Sequence, residues 1–426
     1  MSRVVVIGAG AMGLAAAYHA LKRGHEVTIL EAAPEAGGMA AHFNLGGLSI
    51  ERFYHFVCKA DRPTFELLSG LGMRDRMRWV PTTMGYFVDG RLHKWGDPLA
   101  LLSFPGLSLV QKLRYGAMMF VSSRRKHPGN LENRSAREWI TAWCGEAVYQ
   151  KLWAPLFEFK FYEFAGNISA AWVWTRIKRV GTSRRSLFQE ELGYIEGGSQ
   201  TLVDALVSAI AAGGGALRLN TPVTEIECTE GRVIGVRSGS EQFRAGAVIC
   251  TIPTPYVSRL LPDMAPEQRA GYDKIVNIGV VCVVFRLRRQ VTPHFWVNIS
   301  DPRFAIPGIV EFSNLRPVNE TVVYVPYYMP PSNPKFCRTD DDFVAEAFGF
   351  IKLLNPAVAD SDIVSTYVGR LRHAQPVCPP GFAAMLPPIE TSIRGLQIAD
   401  TCFYYPEDRG ISESVRIGKI MADRIP

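Results

Sequence analysis

An apolar run, Arg3-Val4-Val5-Val6-Ile7, leads directly into Gly8-Ala9-Gly10-Ala11-Met12-Gly13. The stretch over 11–23 is rich in Ala and Leu and ends at Gly24; a second apolar run, Glu26-Val27-Thr28-Ile29-Leu30, stops at Glu31. This order of strand, glycines, helix and strand predicts a βαβ unit. The G-x-G-x-x-G spacing has a physical reason at each glycine. Gly8 permits a tight turn, Gly10 lets the backbone approach a pyrophosphate, and Gly13 lets helix pack closely on strand. Ala9, Ala11 and Met12 complete the loop and the helix start, where free N–H groups and the helix dipole favour an anion. Glu31 stands where a carboxylate accepts from ribose hydroxyls. It would repel a 2′-phosphate, so a dinucleotide without that phosphate is expected.

The rest of the chain returns to this unit more than once. Residues 58–190 are rich in Trp, Phe and Tyr, with helical periodicity around 106–122 and 136–153. Gly197-Gly198-Ser199 leads into a helix expected over 200–212, followed by strands near 216–220, 223–228 and 232–237. Residues 246–252 read as a buried strand stopped by Pro253 and Pro255. Residues 276–287 and 321–328 read as strands of a separate sheet. A last buried strand at 395–399 precedes a helix over 412–424. With 426 residues the chain is long enough for two cores. The expected class is therefore α/β. A Rossmann-like nucleotide-binding domain is assembled from 1–57, 190–260 and 365–426, and a discontinuous α+β substrate domain from 58–189 and 261–364.

Gly37-Gly38 follows Glu31 after Ala32-Ala33-Pro34-Glu35-Ala36. This second pair resembles that of the flavin-containing amine oxidase and protoporphyrinogen oxidase superfamily. UDP-galactopyranose mutases and carotenoid or squalene-type desaturases share its nucleotide fold. The resemblance implies FAD, with Ala32, Gly37, Gly38, Met39 and Ala40 along its pyrophosphate and ribityl chain. Many members carry Arg directly after the pair, and this chain carries Met39 instead. Val223 matches the position whose backbone contacts the adenine side, and Thr251 a strand end close to the cofactor. Asp400 matches an acid at the ribityl–pyrophosphate region. Gly410, Ile411, Ser412 and Val415 match the helix start that donates N–H groups to the flavin ring carbonyl.

Glu51-Arg52-Phe53-Tyr54-His55-Phe56 falls where the superfamily's chain passes close to the flavin. Tyr54 and His55 are expected to line the cofactor, and His55 is the candidate catalytic base. Amine oxidases often sandwich the substrate nitrogen between two aromatic rings. Here those positions fall on Ile411 and near Val377, which speaks against an ordinary small-amine oxidase. Arg372 to Pro376 resembles the Ala-x-Pro stretch of the protoporphyrinogen oxidase-like group. The resemblance implies an FAD-dependent oxidoreductase that moves a hydride from a C–N or C–C centre of a small molecule to flavin. Two alternatives stay open: a flavin-dependent isomerase or mutase acting on a nucleotide sugar, and a flavin-binding protein without turnover.

Composition narrows the partners. The formal charge of +7 is modest for this length, and no pattern resembles a nucleic-acid reader. The eight cysteines form no Cys-x-x-Cys pair, so neither a metal site nor a disulfide framework is expected. With no charged-then-apolar leader and no run of about 18 apolar residues, the expected location is cytoplasmic. Residues 111–126 mix an apolar stretch with basic ends. Such a helix either packs into its own core or makes peripheral contact with the inner face of a membrane. Arg176, Lys178, Arg179, Arg184 and Arg185 either receive an anionic group or form a solvated basic face. Oligomeric state has no sequence signal.

Overall fold

The computed structural model describes residues 1–262 and 264–426. A parallel five-stranded sheet runs in the order Ala216–Arg218, Glu26–Leu30, Arg3–Ile7, Ala247–Cys250, Leu396–Ile398. Its central strand is apolar from Val4 to Ile7 because both faces are covered there. Val4 and Val6 join the core on the helical side. Val5 and Ile7 pack with Ile226, Val233 and Val236 of a three-stranded antiparallel sheet on the other side. The first helix, Ala11–Lys22, lies against the C-terminal helix, Ile411–Asp423. A Cβ at Gly418 would sit 2.5 Å from the carbonyl oxygen of Met12, so the lack of a side chain there sets the helix spacing.

The second sheet has seven strands: Ile363–Pro376, Asn277–Leu287, Thr321–Met329, Gly308–Glu311, Trp296–Ser300, Met84–Val88 and Arg91–Trp95. Neighbours are antiparallel except Trp296–Ser300 with Met84–Val88. Period-two alternation divides the strand Thr321–Met329 between two cores. Val322, Tyr324 and Tyr328 face the nucleotide half, while Val323, Val325, Tyr327 and Met329 pack with Phe343, Ala347 and Ile351 of the helix Asp340–Leu354.

The mixed α/β architecture and its discontinuity match expectation, with two corrections. The strand Ile363–Pro376 pairs along its length with Asn277–Leu287, so the boundary expected at 365 cuts a strand of the second sheet. The chain returns to the nucleotide half only after Pro376. The helix expected over 136–153 is two helices, Ala136–Cys144 and Glu146–Leu152, because Gly145 adopts φ 85° between them.

A buried ion pair joins the two halves. Glu51, at the end of the strand Leu48–Glu51, accepts from Arg316 Nη1 at 2.6 Å and from the Ser199 backbone N–H at 3.3 Å. Its backbone carbonyl accepts the Tyr324 hydroxyl at 2.6 Å. Burial acts to raise the Glu51 pKa, but His42 and Arg316 outweigh it and hold the carboxyl below its usual range. Among the described residues, no helix is long and apolar enough to cross a membrane.

Candidate cofactor and substrate site

The three glycines of the first loop do separate jobs. Gly8 adopts φ +98°, and its N–H donates to Leu30 O at 2.8 Å, closing the turn. A Cβ at Gly13 would overlap the carbonyl oxygen of Gly8. Gly10 has an ordinary φ of −70°, and a Cβ there would meet nothing within 4 Å. Gly10 is thus needed neither for conformation nor for protein packing, and its open side is where a pyrophosphate would approach. Gly37 and Gly38 press against the same loop. Gly37 N–H donates to Ala9 O at 2.8 Å, and a Cβ on Gly38 would lie 3.3 Å from Gly10 Cα. Gly10, the residue before the helix that opens on Ala11 and Met12, makes no side-chain cap, and the first turn holds no acid, which leaves backbone donors for an anion.

Glu31 holds both loops in place. Its Oε2 accepts from Ala9 N–H at 2.6 Å and its Oε1 from Ala33 N–H at 2.9 Å. Each oxygen retains a second lone pair for a hydroxyl donor. Glu31 N–H donates to Arg218 O at 2.9 Å and Thr221 N–H to Glu31 O at 2.8 Å, which brings the loop carrying half-buried Val223 to the acid-bearing strand end. Thr251 Oγ1 donates to Ile7 O at 2.9 Å, directly under the first turn. Ala32 is exposed and Met39 half-buried, whereas Ala40 is buried and its carbonyl accepts Ser199 Oγ at 2.6 Å.

From the far end of the chain, Asp400 reaches the carboxyl edge of the first sheet. Both its oxygens are occupied by backbone N–H groups, from Thr254 at 2.6 Å and Cys402 at 2.9 Å, so it clamps two turns together. The helix Ile411–Asp423 starts at Gly410 without a side-chain cap. Val415 is in the core, Ile411 is half-buried, and the buried Ser412 hydroxyl has no partner. Tyr404 and Tyr405 are taken up in packing, with their hydroxyls on Ser414 and Ser169.

The segment Arg52 to Phe56 runs along the second sheet. Tyr54 places its hydroxyl 3.4 Å from that of Tyr328 and contacts Trp296 and Tyr324 edge-on. His55 Nδ1 is buried without a partner, and burial lowers the imidazole pKa to about 4. Arg52 pairs with Glu35. The open side of Gly10, two helix starts without caps, and the orphaned His55 Nδ1 and Ser412 Oγ together fit a dinucleotide carrying a ring with polar edges.

Of the cluster beside Tyr328, the sequence brought forward only Arg176. Lys160 Nζ lies 5.1 Å from the ring centres of both Trp172 and Tyr328. Arg409 donates to Tyr328 Oη at 3.0 Å and to Ala374 O at 2.5 Å. Arg176 pairs with Asp408 and stacks over Trp172. Burial drives the Lys160 pKa well below its ordinary value, and the nearby Arg176 and Arg409 lower it further. Burial also acts to raise the Asp408 pKa, yet Arg176 and Lys160 bring it below the usual carboxylate range. Arg176 thus pairs with Asp408, and Lys160 and Arg409 lie near enough to act on the same carboxylate. Arg179, from the same basic run as Arg176, is spent on Asp61 through two bonds of 2.9 and 2.7 Å. Among the described residues, no group of His, Cys, Asp and Glu side chains is placed to hold a metal ion.

The sequence profile of the flavin containing amine oxidoreductases matches residues 13–348. The chain belongs to this family. FAD is the cofactor this membership implies, as the Gly37-Gly38 resemblance indicated. A Mycobacterium tuberculosis protein named as a flavin-containing monoamine oxidase is 25% identical over 292 residues, covering 64% of this chain. The match spans 61% of that relative, less than two thirds of its length. Two solved structures share the fold over 99% of the chain. An Exiguobacterium protein described as a protoporphyrinogen oxidase gives a TM-score of 0.76 at 18% identity, with 98% of it covered. A reduced UDP-galactopyranose mutase gives 0.76 at 16% identity, with 93% covered. Within this flavin family fold, nothing in the spacing of Lys160, Arg176, Tyr328 and Arg409 could have announced their meeting.

Proposed function

We propose that this family member is an FAD-dependent oxidoreductase that oxidises a C–N or C–C centre of a small molecule carrying an anionic group, and that it meets this substrate at a membrane surface. The anionic class rests on one observation: Lys160 and Arg409 meet on the Tyr328 ring beside Tyr54, and Arg176 with its partner Asp408 lies next to them. Bound FAD supplies the two-electron acceptor for a hydride leaving the substrate carbon.

In this reading the Gly8–Gly13 loop and Gly37-Gly38 hold the pyrophosphate and Glu31 the ribose. The uncapped turn at Gly410 and Ile411 gives its N–H groups to the ring, where they favour negative charge. Lys160 and Arg409 orient the substrate through its anion. An arriving anion favours the ammonium form of Lys160, which burial disfavours. The buried aromatic side chains of the second sheet exclude water. His55, with a pKa of about 4, is too weakly basic to hold a proton at neutral pH. Its catalytic part narrows to that of a neutral hydrogen-bonding group at Nδ1 beside the cofactor.

The same cations would also suit a nucleotide diphosphate, which favours a redox-neutral mutase as the second reading. Anaerobic mixing of the flavin-loaded protein with carboxylates, phosphates and nucleotide sugars separates the two. Bleaching of flavin absorbance by substrate alone supports the oxidoreductase. Turnover only after prior reduction of the flavin supports the mutase. No response to any anionic compound leaves a flavin-binding protein without turnover and removes the reading.

A further inference from the structure

Among the described residues, exposed apolar side chains concentrate on one stretch of the chain, outside the glycine loops. Fourteen large apolar side chains are exposed among the described residues, and seven of them fall between Leu99 and Val121. They sit on two adjacent helices, Pro98–Ser103 and Leu109–Arg124, which are held together by Lys112 Nζ on Leu102 O at 2.6 Å. The longer helix has two distinct faces. Tyr115, Met118 and Ser122 point into the core at helical spacing. Leu109, Val110, Leu113, Phe120 and Val121 point outward, with exposures of 62, 64, 60, 52 and 46%. An outward apolar stripe of this size on a folded protein marks a contact surface.

Charge on the same segment selects the partner. No Asp or Glu occurs between Asp97 and Glu132, whereas Lys112, Arg114, Arg124, Arg125 and Lys126 do. None of the five forms an ion pair among the described residues. Arg114 bonds the carbonyls of Ala142 and Trp143, and Arg125 those of His127 and Pro128, so their charges stay uncompensated. Arg124 folds over the Phe120 ring at 4.1 Å, an apolar stem with its charge at the edge of the stripe. Leucines and a phenylalanine flanked by unpaired cations match the two layers of an anionic bilayer surface: acyl chains beneath, phosphate headgroups above.

We infer that the outer face of these two helices docks the protein onto an anionic lipid bilayer without crossing it. The inference rests on the proposed function only for its purpose, since the surface is independent of flavin chemistry. The test is co-sedimentation of the full-length, flavin-loaded protein with vesicles of phosphatidylcholine alone or of phosphatidylcholine and phosphatidylglycerol at 3:1. The expected result is selective binding to the anionic vesicles. Replacing Leu109, Val110 and Leu113 together by Ser lowers partitioning about tenfold or more. Arg124→Gln with Lys126→Gln lowers it about tenfold on anionic vesicles only. All five positions are exposed, so the visible flavin spectrum and melting temperature stay unchanged and report intact folding. Equal binding by wild type and both variants overturns the inference, as does absence of wild-type binding. A wild-type dimer in sedimentation equilibrium that the triple variant returns to monomer also overturns it, because a second copy then covers the face. Missing flavin with intact vesicle binding would sink only the proposed chemistry.

Discussion

The glycine loops and the Lys160 cluster are built in opposite ways. The loops are backbone structures. Gly8, Gly13, Gly37 and Gly38 are there because a Cβ would strain or collide, and Glu31 anchors main-chain N–H groups. The cluster is made of side chains from four separate segments, held by aromatic rings and one shared acid. Backbone cradles suit a cofactor that stays the same across a family. Side-chain clusters can change without disturbing the sheet, which is where a fold accommodates different substrates.

The sharpest break in this comparison is Gly13→Val against Gly10→Val. The first drives a side chain into the Gly8 carbonyl and costs roughly 3–5 kcal/mol, enough to lose the folded protein. The second has open space and an ordinary φ, so it melts within about 1 kcal/mol of wild type but loses flavin absorbance. If the Gly10→Val protein keeps its FAD, the pyrophosphate lies elsewhere.

Glu51→Ala tests the joint between the two regions. It leaves Arg316 buried without its partner and is expected to cost about 3–5 kcal/mol in chemical denaturation. A loss under about 1 kcal/mol would show that the halves are joined by apolar packing alone.

Lys160→Met acts on the cluster only. Removing the desolvated Lys160 amine should leave flavin content intact and stability equal or higher. Affinity for an anionic substrate or competitive anion should fall about ten- to a hundredfold. Spectral titration measures this directly, and unchanged affinity would detach the cluster from substrate binding.

The smallest effect is a pH slope from the second sheet. Burial pushes the Glu311 pKa up from 4.5 to about 8, although Thr292 and Val291 N–H groups bond the carboxylate. A raised folded-state pKa means stability that is full below the unfolded value and is lost as pH rises through about 8. Melting temperature should therefore fall between about pH 4.5 and 8, and Glu311→Gln should flatten that fall. An identical slope in the variant would assign it to another group, such as Glu190, whose pKa burial raises to about 7.

Much of the nucleotide half was legible because its signals are local. A strand, a turn and a helix start within a dozen residues each leave a mark that backbone sterics require. Val223 and Thr251 were placed by resemblance, and the structure brings both to the strand ends beside the loops. The boundary at 365 misplaced residues 365–376. That long strand carries no composition change where it leaves the neighbourhood of one half for the other.

The sequence alone determined the βαβ unit, and the flavin family through the resemblance carried by the second glycine pair. The βαβ signals rest on steric rules that act over neighbouring residues and do not depend on what lies across the fold. Tertiary structure alone decided that Arg179 is neutralised by Asp61 while Arg176, three residues earlier, joins Lys160 and Arg409. It also decided that Leu109 and Leu113 face outward while Tyr115 and Met118 face in. Charge pairing and burial depend on distances between segments far apart in the chain, and only the packed sheets and helices set those distances.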